Sequence, residues 1–174
     1  MRKIIAYIVL ATLCCLACQC KHEDLDSELS SYIASHESQI RMLRNWDILY
    51  APERDCWCCR HYYCKDSLLS FVLARVDKYD NVIAYEVNPF YEDSTIAIQM
   101  ASQNISTLYD IKRIYGYEFI GAREVKLFND TLAYDFLISM GDEETTSQIK
   151  LKKTDNDSID KHLFGKWYIR TTQK

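Results

Sequence analysis

Gln148-Ile149-Lys150-Leu151-Lys152-Lys153 alternates apolar and cationic side chains at a period of two. That spacing belongs to a strand with one dry face and one wet face, so Lys150 and Lys152 are expected in water. The same period continues on both sides. Tyr117 to Phe128, Leu132 to Met140 and Phe164 to Thr171 read as further strands, joined by short links at Asn129-Asp130, Gly141-Asp142 and Asp155-Asn156. Short links between such runs predict a four-stranded antiparallel meander.

Working back toward the amino terminus, the period changes. Ser27 is placed to cap a helix, and Leu29, Ile33, His36, Ile40 and Leu43 recur at steps of three and four, giving a helix that ends near Asn45. His36 lies on that stripe, as a half-buried, hydrogen-bonded histidine does. Trp46 to Tyr50 runs to a break at Pro52, and 52–66 reads as a cysteine-rich loop. Ser70 to Tyr79 and Val82 to Val87 flank Asp80-Asn81 and predict a hairpin, because Asp and Asn tolerate the positive φ of tight turns. Ser94 then caps a second helix with Ala97, Met100, Ala101, Leu108 and Ile111 on its buried face, with Ser106-Thr107 as a point where it breaks. The expected order is helix, hairpin, helix, meander: one α+β domain over 26–174.

Residues 1–25 are of another kind. Met1-Arg2-Lys3 is cationic, Ile4 to Leu16 is apolar, and Lys21-His22-Glu23-Asp24 turns polar. The apolar run is about 13 residues, roughly 20 Å as a helix, too short to span a bilayer and of the form of a secretory signal. Leu16-Ala17-Cys18 resembles the lipobox of bacterial lipoproteins, with Ala17 before the cysteine, although Cys15 stands where leucine is usual. The resemblance implies a signal peptide at 1–17, acylation of Cys18 (Cys20, after Gln19, is the alternative) and a place in the cell envelope, on the outer or inner membrane outside the cytoplasm. The acidic run Glu23-Asp24-Leu25-Asp26 looks like the surface-export tether of Bacteroidetes lipoproteins, giving a tether over 18–25. Asp66-Ser67-Leu68, Asp93-Ser94-Thr95, Asp130-Thr131-Leu132 and Asp157-Ser158-Ile159 resemble the O-glycosylation sequon of the same group, making Ser67, Ser94, Thr131 and Ser158 candidates. Asp-Ser and Asp-Thr also mark caps and turns.

The order of elements resembles the NTF2-like fold, a curved sheet wrapped around helices and often enclosing a conical pocket. Phe164-Gly165-Lys166-Trp167-Tyr168-Ile169 looks like its closing strand in small bacterial lipoproteins. Enzymes of that group use pocket carboxylates, tyrosines or histidines, which points to Asp135 beside Tyr134, or Tyr85 with Glu86. Adjacent strand residues face opposite ways, so neither pair lines a cavity together. His162, before the last strand, is expected at the surface.

Composition excludes several classes. The 174 residues are 48% hydrophobic and 26% charged, with 4 Gly and 2 Pro, which argues against disorder and against a glycine-rich phosphate loop. The formal charge of -4 becomes about -6 once Arg2 and Lys3 are removed, a poor footprint for nucleic acid. The 13 tyrosines suit a wet interface, a lined pocket or a strand-rich core. Cys56, Cys58, Cys59 and Cys64, with His61 between them, admit disulfides, free thiols or a soft metal. No catalytic motif stands out and no cofactor is implied. The leading reading is a lipid-anchored, non-enzymatic binding module for a small molecule, a glycan or an envelope partner. An envelope metal or redox protein acting through Cys56–Cys64 comes second, and a small NTF2-like enzyme third.

Overall fold

The computed structural model describes residues 25–64, 67–125, 131–132, 134–153 and 160–173. Helix α1 (25–41) leads into β1 (Trp46–Ala51), a 3-10 turn (Pro52–Arg54), β2 (Cys56–Cys64), β3 (Ser67–Val76) and β4 (Val82–Pro89). Helix α2 (Ser94–Tyr115) follows, then β5 (Phe119–Glu124), β6 (Tyr134–Gly141), β7 (Thr145–Lys152), β8 (Lys161–Phe164) and β9 (Trp167–Gln173). All the strands join one antiparallel sheet in the order β4-β3-β2-β1-β5-β6-β7-β9-β8.

This overturns the four-stranded NTF2-like sheet with helices leading. The nine-stranded sheet dominates, and the described residues form only two α-helices. The reason lies in two stretches whose strand pairing the local sequence does not announce. Cys56 to Cys64 is not a loop: it pairs with β1 through Ile48↔Cys59 and Tyr50↔Trp57, and with β3 through Cys59↔Val72. Trp46 to Ala51 pairs on its other side with β5, through Ile48↔Ala122. β1 therefore welds the hairpin to the meander. The expected last strand is also divided. Gly165 adopts φ +54°, a left-handed conformation suited to glycine, and turns β8 back onto β9 with Phe164 opposite Trp167.

Both helices pack on one face of the sheet. Leu29, Ile33, Ile40 and Leu43 join Ala97, Ala101, Leu108 and Ile111, and both sets meet Ile48, Trp57, Val72, Ile120, Ile138, Ile149 and Trp167. α2 is unbroken at Ser106-Thr107: its buried face runs through Ala101, Ile105, Leu108 and Ile111, and the Thr107 hydroxyl is satisfied by donating back to the Gln103 carbonyl at 3.1 Å. Its N-cap is Asp93 rather than Ser94. The Asp93 carboxylate accepts from Thr95 N at 2.7 Å and Ile96 N at 3.3 Å, bonds that hold its acidity stronger than usual.

The wet face expected for β7 is also corrected. Lys150 and Lys152 point away from the helices yet are 5% and 2% exposed. Asp160 covers them: its carboxylate lies 3.0 Å from Lys152 Nζ and 3.5 Å from Lys150 Nζ, and it also bonds Arg170. The Tyr168 ring sits 4.3 Å from Lys152 Nζ, and the Tyr134 ring 5.3 Å from Lys150 Nζ. Alternation reports which residues share a face. It does not report what later segment folds over it.

Candidate functional site

The period of β2 separates its cysteines. Trp57, Cys59 and His61 face the helices, while Cys56 and Cys58 face the other way, opposite Ala51 and Leu49 of β1. Cys59 is fully buried, and burial, followed by the neighbouring thiol of Cys58, pushes its pKa far up. It stays protonated and inert. Cys56 is buried and Cys58 half-buried. Burial raises the Cys56 thiol first, and the charge and hydrogen bond of Cys58 raise it further. Cys56, Cys58 and Cys59 are free thiols. Adjacent Cys58 and Cys59 point to opposite faces, so no vicinal bond forms between them. Positions two apart on a strand lie about 6.6 Å apart, at the far end of what a disulfide spans. Cys64 ends β2, paired through its backbone with Ser67. Among the described residues no three His, Cys, Asp or Glu side chains converge as metal ligands do. The arrangement therefore offers two thiols, Cys56 and Cys58, on one face.

On the helix side, three polar residues meet beneath the end of the sheet. His61 of β2 and Ser70 of β3 share register, and Glu92, just before α2, reaches both. Glu92 Oε2 accepts from the Ser70 hydroxyl at 2.7 Å and lies 2.9 Å from His61 Nδ1. The Trp46 ring stacks on the imidazole at 4.3 Å, 5° from parallel. Ser70 is fully buried and His61 nearly so. Nucleophilic catalysis by a hydroxyl needs the imidazole between serine and carboxylate. Here the carboxylate stands in the middle, accepting the serine's hydrogen bond and contacting the imidazole, so the serine–imidazole–carboxylate order is absent. The cluster instead clamps the 90–92 segment to the sheet. Glu92→Ala should cost about 1–3 kcal/mol for each buried group left without its partner. An unfolding free energy from urea titration within about 0.5 kcal/mol of the unsubstituted protein, on the roughly 1 kcal/mol scale of one hydrogen bond, would contradict the clamp. Sequence spacing carries no sign of this cluster, since Glu92 lies 31 residues from His61 and 22 from Ser70.

The remaining sequence candidates are scattered. Ser67 is half-buried at the start of β3, Ser94 is exposed at the start of α2, and Thr131 is exposed in a turn. Cys18, Cys20, the tether up to residue 24 and Ser158 lie outside the described residues. Asp135 pairs with Arg44 at 3.0 Å, and Glu86 with Arg75 at 2.6 Å. These ion pairs hold carboxylates that an acid–base reading would need free. His36 stacks on Tyr32 and contacts its carbonyl at 3.0 Å through Nδ1. His162 is exposed in β8, with Nε2 2.9 Å from the Gly165 carbonyl.

Two surface features remain. An open groove of about 1000 Å³ runs between the helices, lined by Glu28, Ser31, Tyr32, Asp110 and Arg113. Burial, and then Asp110, push the Tyr32 hydroxyl up to about 12, so it donates rather than acts as a base. On the far side of the sheet a shallow depression of about 260 Å³ is floored by Gly121 and ringed by Asp47, Leu49, Arg123, Leu137 and Ser139. A Cβ at Gly121 would sit 3.0 Å from the Ile48 carbonyl oxygen, so glycine keeps this hollow open. Neither feature gathers an acid and a base. Compared with known proteins, the chain matches no family model, no curated protein and no solved structure.

Proposed function

We propose that the chain is an exported lipoprotein whose domain acts as a binding module in the cell envelope rather than as a catalyst. The observation that carries this is the leader: a cationic start, an apolar run too short to span a bilayer, and Ala17-Cys18 at its end. No helix of the described residues is long and apolar enough to cross a membrane. Acyl chains on Cys18 supply the attachment, and two or more make it stable.

The geometry supports binding over catalysis. Its most reactive-looking cluster is closed on itself, with Glu92 spent on both His61 and Ser70. The sheet face away from the helices presents Leu49 at 51% exposure beside half-buried Cys58, Phe71 and Leu73. Asp47, Arg60, Arg75 and Arg123 rim this strip with charge. An apolar centre with a polar rim is the build of a recognition surface.

Mass spectrometry of the protein extracted from its native membranes tests the anchor. The expected species begins at Cys18 and carries acyl mass there. A product that keeps Met1, or one with no acyl group on Cys18 or Cys20, would remove the basis of this reading.

A further inference from the structure

The two edges of the sheet differ in a way that bears on association. β8 is four residues long and carries Lys161 and His162, the kind of short, charged edge that repels another strand. β4 is eight residues long, has no lysine or arginine, and holds one charge, Glu86, already paired with Arg75. The exposed large apolar side chains Tyr79, Ile83, Phe90 and Tyr91 lie along it and at its ends, with Tyr91 85% exposed.

Two hydrogen bonds fix which backbone groups of β4 point outward. Phe90 N donates to Leu69 O at 3.0 Å, in line with the register Ser70↔Pro89 and Phe71↔Asn88. In an antiparallel ladder, directly opposed residues alternate between bonded and non-bonded pairs. Asn88, Glu86 and Ala84 therefore turn their N–H and C=O groups toward β3, and Val87 and Tyr85 turn theirs away. The opposite side of β3 agrees: Val76 N donates to Asp55 O at 2.8 Å, so Val76, Ala74, Val72 and Ser70 face β2. Pro89, which has no N–H, falls at an outward position and costs the β3 ladder nothing. The bulge opposite Arg75 and Val76 leaves Ile83 as the extra residue and bends the near end of the edge.

We infer that β4 pairs antiparallel with β4 of a second copy of this chain, with Tyr85 opposite Tyr85 about a twofold axis. This register is self-complementary. Tyr85 exchanges reciprocal N–H···O=C bonds with its own copy, and Val87 lies opposite Ile83. On the other face Glu86 lies opposite Ala84. Shifting the axis by one residue would set Glu86 against Glu86, opposing like charges, and would turn inward-bonded groups to the interface. The pairing covers Ile83 and joins the two sheets through an isologous contact.

Full-length chains bearing two different tags, co-expressed and extracted in mild detergent, test this. Capture of one tag should bring the other. Val87→Pro removes an outward donor without touching the β3 ladder, and should cut co-capture about tenfold while the Glu86 amide, bonded to β3, stays protected from exchange. Amide exchange supplies a second reading that needs no variant. The Tyr85 and Val87 amides should be protected when concentrated and exchange about tenfold faster on dilution, whereas the Glu86 amide stays protected throughout. Absence of co-capture overturns the pairing. So does co-capture in which the Tyr85 and Val87 amides exchange freely at every concentration, because the copies would then meet elsewhere.

Discussion

Asp160→Asn is expected to destabilise the fold by about 3–5 kcal/mol, because it leaves cations buried without their counter-charge. The Asp160 side chain is 1% exposed, as is that of Lys152, and Lys150 is 6% exposed. Asparagine keeps the shape and removes the charge, so the loss measures electrostatics rather than packing. Urea unfolding should show a lower midpoint at unchanged slope. Pairing the change with Lys152→Met should cost less than the sum of the two single variants, since the second change removes one of the orphaned cations. A loss below about 1 kcal/mol, the range of an exposed pair, would mean that water reaches the cluster.

The same carboxylate sets a pH response. Burial works against ionisation of Asp160, but the hydrogen bonds from Lys152 and Arg170 outweigh it and hold the group below its ordinary 3.8. A depressed folded value means that the stability it confers is complete above the unfolded value and is lost as pH falls through the folded one. The protein should therefore lose stability below about pH 4. The Asp160→Asn variant, already lacking that contribution, should show a flatter acid limb. Parallel acid limbs would place the titrating groups elsewhere.

Trp46→Ala should cost about 3–5 kcal/mol as well, by a different route. Trp46 is fully buried, and its backbone N–H donates to Leu43 O at 3.1 Å, which turns the end of α1 into β1. Its ring carries the stack on His61. Truncation empties a large volume that β1, paired on both sides, cannot collapse to fill. Proton NMR offers a check beyond stability: the ring-current shift of the His61 resonances should vanish. His61 signals unmoved by the substitution would show that the stack does not persist in solution.

The two results separate what a chain displays locally from what it acquires by folding. The apolar stripe of α1 and that of α2 were legible because helix faces repeat within a few turns. The strands at Leu132–Met140 and Gln148–Lys153 were legible for the same reason at a period of two. The Asp80-Asn81 turn was readable from its chemistry, and Asp80 does take φ +63°. β2 is not legible locally, because clustered cysteines suggest a loop or a ligand set, yet Cys56–Cys64 is a strand. The alternation of Trp57, Cys59 and His61 becomes informative only once β1 and β3 lie on either side.

The sequence alone determined the two helices and much of the strand content, since each is written in contiguous residues. The tertiary structure decided the rest. It joined hairpin and meander through β1 into one sheet, split the cysteines between its faces, buried Lys150 and Lys152 under Asp160, and brought Glu92 to His61 and Ser70. Each of those outcomes depends on contacts between segments far apart in the chain. Local periodicity specifies which way a side chain points, but not which distant segment will meet it there.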